Sequence, residues 1–198
     1  MSDLSEYQRK RKSGKSPEPV GDESAPGGNG QNIFVIQKHD ASTLHYDFRL
    51  QVGDVLRSWA VPKGLSTDPR EKRLAVETED HPLSYADFEG VIPEDEYGGG
   101  SVIVWDRGTY EHRTRKDEER IDFEEAEKKG HISVYLHGEK LTGGYELIRM
   151  KGDNWDKGQW LFKKTDDEEA DARRRPTSTQ PKSVISGKTV EQMDEQDS

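Results

Sequence analysis

Between Leu44 and Leu50 an imidazole, a carboxylate and a guanidinium occupy alternate positions: His45, Asp47 and Arg49. With the two-residue period of a β-strand these three share one face, while Leu44, Tyr46, Phe48 and Leu50 share the other. His45 and Asp47 would then lie roughly 6.5–7 Å apart, near enough for both to reach one metal ion. The polar face of a half-buried strand ordinarily carries Thr, Lys, Glu or Ser. A metal held by imidazole and carboxylate beside an arginine is suited instead to an anion, phosphate foremost. The structural alternative is a strand histidine bonded to Asp47, with Arg49 in an ordinary ion pair across the face.

The flanking segments must position this row. Residues 33–38 are rich in strand formers and Asp40-Ala-Ser-Thr43 has turn composition, which predicts a hairpin that folds His39 back beside His45 as a third ligand. On the other side Gly53-Asp54 is a two-residue turn leading into 55–61. In that register Arg49 faces Ser58, Asp47 faces Ala60 and Phe48 faces Trp59. Small partners on the polar face leave room for a cavity above it.

Farther along, Val61-Pro62-Lys63-Gly64 ends a strand in a turn that presents Lys63, a position more often simply solvated. Residues 73–79 alternate, with Leu74, Val76 and Thr78 set against Arg73, Ala75, Glu77 and Glu79, and run into Glu79-Asp80-His81-Pro82. Pro82 holds His81 extended, so its ring projects from the strand end; a histidine before proline is nonetheless more often structural. Tyr85 follows in a loop. His112, His131 and His137 fall near strand ends without carboxylate partners and read as surface or core residues.

An acidic, Gly-rich loop at 94–100 precedes a strand at 101–105 and a turn at Asp106-Arg-Gly108. Residues 113–120 are a charge run and read as an exposed loop. Asp122 with Glu125 forms a capping box and Lys128-Lys129-Gly130 a helix end, giving one helix over 123–129. Strands follow at 131–136, 144–150 and 159–163. Short strands with regular turns and one short helix make the fold mainly β: a small closed or partly open barrel, or a sandwich.

Of the 198 residues only 29% are hydrophobic, and the mean hydropathy is -1.08. The apolar deficit is concentrated at the ends. Residues 1–30 carry the basic knot Arg9-Lys-Arg-Lys12 with Lys15 and then a Gly/Pro/Asn run, which reads as a flexible arm, either solvated or folded over a substrate. Residues 31–165 form the folded domain, and 166–198 read as a disordered acidic tail. No apolar run spans a membrane and no signal core lies near Met1, so a soluble, cytoplasmic protein is expected. Without cysteine there are no disulfides, thiolate zinc sites or cysteine nucleophiles, and a metal must use His and carboxylate, which favours Mn, Mg, Zn or Fe. The net charge of -10 argues against a basic cloak for long duplexes and leaves recognition of nucleic-acid ends intact.

Together His39-x5-His45-Tyr-Asp47-x-Arg49, Trp59-Ala-Val-Pro-Lys63-Gly and Glu79-Asp-His81-Pro-Leu-x-Tyr85 resemble the 3'-phosphoesterase domain of bacterial DNA ligase D and its free-standing archaeal and bacterial relatives. The likeness runs from about residue 33 to 164 and includes Gly-x-Ile-Pro and Val-x-Val-Trp-Asp-x-Gly. It implies a small β-barrel hydrolase that uses manganese to remove a 3'-terminal ribonucleoside and then the 3'-phosphate, with nucleic acid 3' ends as substrates and a separate ligase and polymerase as potential partners. By motif, His39, His45 and Asp47 would hold the metal. Arg49, Arg73 and His81 would surround the phosphate, with Lys63 and Tyr85 nearby and Glu18 of Pro17-Glu-Pro19 matching an N-terminal element. His81, Arg49 and Tyr85 would be the catalytic set. Lys12 stands where the family tends to an acidic residue, and Asp95 where Gly is typical. Two rival functions remain: a non-haem Fe(II) oxygenase whose His-x-Asp is completed by His131 or His137, and a non-catalytic module that binds DNA ends.

Overall fold

The computed structural model describes residues 4–11, 16–20, 32–152 and 158–195. Its strands are β1 (Ile33–Asp40), β2 (Leu44–Val52), β3 (Val55–Val61), β4 (Lys72–Pro82), β5 (Gly90–Ile92), β6 (Gly100–His112), β7 (Arg115–Lys116), β8 (Glu119–Arg120), β9 (His131–Gly138), β10 (Thr142–Arg149) and β11 (Gln159–Lys164). Eight close a barrel in the order β1-β2-β3-β4-β11-β10-β9-β6, with β6 pairing back onto β1. β5 adds to β6, and β7 with β8 makes a separate exposed ribbon within the charge run.

Period two sorts β2 as expected. Tyr46, Phe48 and Leu50 join Phe34, Ile36, Trp59, Trp105, Trp160 and Phe162 in the interior cluster. The predicted hairpin register is observed: His39 opposite His45, Arg49 opposite Ser58, Asp47 opposite Ala60 and Phe48 opposite Trp59. The polar row therefore lies on the outside of the barrel wall. A second apolar layer covers part of that outer surface, in which Leu83, Tyr85, Ala86, Phe88 and Ile92 pack on Val35, Leu56, Val102 and Val104. This layer explains why β1 is buried on both faces.

Two strand readings differ from expectation. On β4 the interior residue is Ala75, set against Trp160, while Leu74 is exposed; the tryptophans fill the barrel and leave space only for a small side chain there. The expected turn at 106–108 is instead the middle of β6. The buried Asp106 carboxylate accepts from the backbone N–H of Arg107, Glu139, Lys140 and Leu141 at 2.9–3.0 Å, so it organises the β9–β10 turn instead of one of its own.

The expected helix is α2 (Phe123–Lys129), capped by Asp122 and closed by left-handed Gly130. Three further short helices lie in the segments expected to be disordered: α1 (Ser5–Lys10), α3 (Pro176–Thr179) and α4 (Val190–Asp194). The C-terminal segment is a correction. Through residue 195 it wraps the barrel, with Asp171 N on Thr67 O, Trp105 Nε1 on Gln180 O and Val184 N on Val104 O. Val190 and Met193 bury against Ile103. The N-terminal arm is likewise ordered over residues 4–11 and 16–20; Lys12, Lys15 and the Gly-rich run lie outside the described residues.

Candidate active site

The hairpin brings His39, His45 and Asp47 together, with one ligand atom from each lying within 4.8 Å of the others. The local geometry fixes which nitrogens are available. His39 Nε2 is 2.6 Å from the Gly98 carbonyl and His45 Nδ1 is 2.9 Å from the Thr43 carbonyl. A carbonyl only accepts, so those nitrogens carry the protons. His39 Nδ1 and His45 Nε2 are thereby turned toward Asp47 Oδ2, at 3.6 and 3.3 Å. Backbone carbonyls holding the outer N–H of two imidazoles are the usual support of metal-ligating histidines. Two imidazole nitrogens and one carboxylate suit a divalent transition metal, so the donor set fits one.

Electrostatics favour an ionised Asp47. Burial would raise its carboxyl, but the Arg49 charge, and then the two histidines, which can donate to it when their rings are protonated, hold it well below the ordinary carboxylate range. Burial alone would lower His45, yet the bond and charge of Asp47 raise it above the usual imidazole value.

A cavity of about 340 Å³ opens above this cluster and is lined also by Arg11, Glu18, Arg49, Thr78, His81, Tyr85 and Tyr97. Arg49 is 3% exposed; its Nε donates to Gln37 Oε1 at 2.7 Å, and its Nη2 lies 3.5 Å from Asp47. Its Nη1 is buried without a hydrogen-bond partner, as is Thr78 Oγ1. Unsatisfied buried donors are costly, and a guanidinium N–H left so on a cavity wall is matched to an anionic oxygen.

A β-bulge brings His81 to the same cavity. Thr78 and His81 are three residues apart and would face opposite sides of a regular strand. An extra residue on β4, where the register shifts opposite Leu56 and Ser58 of β3, puts both on the outer face. His81 Nδ1 donates to the Glu79 carbonyl at 2.9 Å, which leaves the Nε2 lone pair facing Arg11 Nη2 at 3.5 Å. Burial, then Arg49 and Arg11, depress its proton affinity well below the ordinary value, so the ring is neutral.

The arm supplies the far wall. Tyr7 is fully buried, 4.9 Å from the His81 ring, and the Arg11 guanidinium sits 3.9 Å over the Tyr7 ring. Arg11 bonds Glu18 at 3.0 Å and Glu79 at 3.3 Å, and Lys10 holds the other Glu79 oxygen at 3.2 Å. Tyr85 donates its hydroxyl to Glu18 at 2.8 Å. Burial and then Glu18 keep that phenol protonated, so Tyr85 acts as a donor and as a ring against Arg49 and His81.

His39, His45, Asp47, Arg49, His81, Tyr85 and Glu18 are therefore assembled in one place. Glu18, expected at the phosphate, instead faces Arg11 and Tyr85. Two expected residues do not join. Lys63 is exposed in the turn after β3, and Arg73 pairs with Glu71 at 2.5 Å, opposite Phe162 on β11. Motif order placed them near the site; the strand direction carries them away from it. His131 and His137 pair with Glu146 and Glu111 on the surface and do not reach the cluster, which removes the distal ligand of the oxygenase alternative. The residues not foreseen are Arg11, Gln37, Thr78, Glu79 and Tyr97. Arg11 was visible only as one member of a basic run, and Glu79 needs the bulge to reach the site.

Residues 37–149 match the family model described as the DNA Ligase D 3'-phosphoesterase domain. The chain is 48% identical over 191 residues to the multifunctional non-homologous end joining protein LigD of Pseudomonas aeruginosa, covering 94% of this chain and 22% of that one. It is 49% identical over 152 residues to the multifunctional non-homologous end joining DNA repair protein LigD of Mycobacterium tuberculosis, covering 77% of this chain and 19% of that one. The chain thus spans about a fifth of the length of these relatives.

Proposed function

The chain belongs to the DNA ligase D 3'-phosphoesterase domain family, and from that premise we propose that it is a metal-dependent hydrolase that heals 3' ends of nucleic acid in repair. It would remove a terminal ribonucleoside, then the remaining 3'-phosphate, and leave a 3'-OH for a ligase or polymerase. The observation that carries this reading is the unpaired, buried Arg49 Nη1 in a cavity shared with the His39, His45 and Asp47 triad. The same arrangement favours turnover over a passive end-binding module, because end-binding needs cations but no coordinating triad.

His39 Nδ1, His45 Nε2 and an Asp47 oxygen would hold the metal, and manganese is the proposed ion. Bound there, it supplies positive charge against the phosphate and a more acidic attacking water. Arg49 and Arg11 would take non-bridging oxygens, where charge grows in the transition state. Gln37 fixes Arg49 by accepting from Nε, and Glu18 fixes Arg11. His81 is neutral because burial, and then the guanidiniums of Arg49 and Arg11, depress its proton affinity; a phosphate between the guanidiniums would offset their share and raise it. The ring can then carry a proton to the departing oxygen, its Nδ1 held by the Glu79 carbonyl.

A 5'-labelled primer ending in one ribonucleotide, annealed to a template, tests the reading. With manganese it should shorten to a 3'-phosphate and then to a 3'-OH end. Equal turnover by chelator-treated protein would overturn the metal role, and end-binding without any product would leave only the non-catalytic module.

A further inference from the structure

Among the described residues Tyr97 is the one exposed aromatic side chain, at 50%, whereas nearly all others are buried. A lone exposed apolar group is unremarkable by itself; the position of this one is informative. Tyr97 lines the cavity of Arg49 and His81 and also an adjoining groove of about 490 Å³, which it shares with Lys10, Glu77 and Glu79. Its neighbour Gly98 accepts the His39 ring N–H at 2.6 Å, so the ring is tied to the triad by a single residue. From the other side Lys10 Nζ lies 3.3 Å from the Tyr97 hydroxyl and 4.6 Å from the ring centroid.

We propose that Tyr97 is the stacking platform for the base of the terminal nucleoside, with the adjoining groove taking that nucleoside as it leaves. This rests on the reading of the site as a 3'-end phosphoesterase. A half-exposed ring beside an anion site is how single-stranded ends are held without regard to sequence, since every base has a π-face. The groove also selects against charge. Its three carboxylates, Glu6, Glu77 and Glu79, outnumber its one cation, Lys10, which disfavours a segment carrying further phosphates, while Glu77 can accept hydrogen bonds from the hydroxyls of an uncharged nucleoside. Tyr97 thereby favours ends that bear a base, and all four bases alike.

Two duplexes settle the matter, one ending in a 3' ribonucleotide and the other in an abasic ribose at the same position. With manganese, the unmodified protein and Tyr97→Phe should prefer the base-bearing end in kcat/KM by on the order of 10- to 100-fold, the range of base stacking on an aromatic ring. Tyr97→Ala should cleave the two ends about equally, having lost the preference. If Tyr97→Ala slows both ends by the same factor, the ring only props the arm and the proposal is overturned. If the unmodified protein cleaves neither end, the phosphoesterase reading fails instead. Equilibrium binding of the two duplexes then decides Tyr97 alone: equal affinities in the unmodified protein reject the platform, and a base-dependent gain that Tyr97→Ala abolishes supports it.

Discussion

The N-terminal arm and the C-terminal segment both lie against the barrel, but they are held there by different physics. The arm rests on charge: Lys10 and Arg11 on Glu79, and Arg11 on Glu18, with Tyr7 as its buried apolar anchor. The C-terminal segment rests on backbone hydrogen bonds and apolar burial, from Asp171 N on Thr67 O to Val190 and Met193 on Ile103. Ion pairs of the first kind add little net stability, because desolvation offsets much of their attraction. They fix cations at a chosen point, which is what a phosphate site needs. Apolar burial of the second kind is where stability comes from. The arm should therefore matter to chemistry and the C-terminal segment to folding.

Removing residues 1–20 should separate these roles with the largest effect. We expect kcat/KM on a ribonucleotide-ended primer to fall by on the order of 10²–10³-fold, the loss typical of a missing transition-state donor, while stability falls only by about the 1.5–3 kcal/mol that one large buried side chain, Tyr7, contributes. Arg11→Ala should account for most of the fall. A truncated protein that melts much earlier yet keeps its turnover per folded molecule would reverse the comparison.

Removing residues 166–198 should do the opposite. Burying a Val or Met side chain stabilises by about 1.5–3 kcal/mol each, so losing Val190 and Met193 together should cost roughly 3 kcal/mol or more in denaturant unfolding. Met193→Ala alone should cost about 2 kcal/mol, at the low end for a buried Met because its site is near the surface. Activity per folded molecule should hold. An unchanged unfolding midpoint would show that this segment is docked without contributing stability.

What the sequence disclosed, and what it hid, follows the same division. Period two on 44–50 and the two turns around it were enough to register three strands and to bring His39 to His45, because every one of those interactions is local. Short strands and a single capped helix narrowed the fold to a barrel, closed or partly open, or a sandwich, and the pairing of β6 back onto β1 closes it. The docking of residues 166–195 left no such trace: its bonds are made by backbone groups, and Val190 and Met193 sit in a polar context with no period of their own. Arg11 and Glu18 were equally silent as a pair, since nothing in a Gly- and Pro-rich stretch says which of five cations meets which carboxylate. Lys63 and Arg73 show the converse: order in a motif does not entail closeness in space, and Arg73 pairs with Glu71 opposite Phe162. The bulge on β4 could not be read from its residues at all, yet it decides that Thr78 and His81 share a face.

The smallest expected effect is also the one that ties the arm to the chemistry, through pH. His81 is held neutral by burial, Arg49 and Arg11, so its folded pKa is below its unfolded value of about 6.5. The unfolded chain binds that proton first as pH falls, so the stability associated with a neutral His81 is present above pH ~6.5 and is lost on acidification toward the depressed value. His45 has the opposite sign. Its folded pKa is raised, mainly by Asp47 against burial, so its contribution is full below pH ~6.5 and lost as pH rises through the raised value. The metal-free protein should therefore be most stable near pH 6.5. His81→Asn should flatten the acid limb by at most about 1.4 kcal/mol per pH unit, the slope of one proton. Comparison with the unmodified protein cancels His112, which is also depressed, by burial. His45→Gln should flatten the alkaline limb instead. Arg11→Ala removes one of the two cations beside His81 and should reduce the acid slope partway, whereas loss of residues 166–198 should lower the whole curve without changing its shape. Urea midpoints from pH 5 to 8, with chelator present, would read all four. An acid limb in the C-terminal truncation as flat as that of His81→Asn would mean that the segment, and not the arm, sets the charge state of His81.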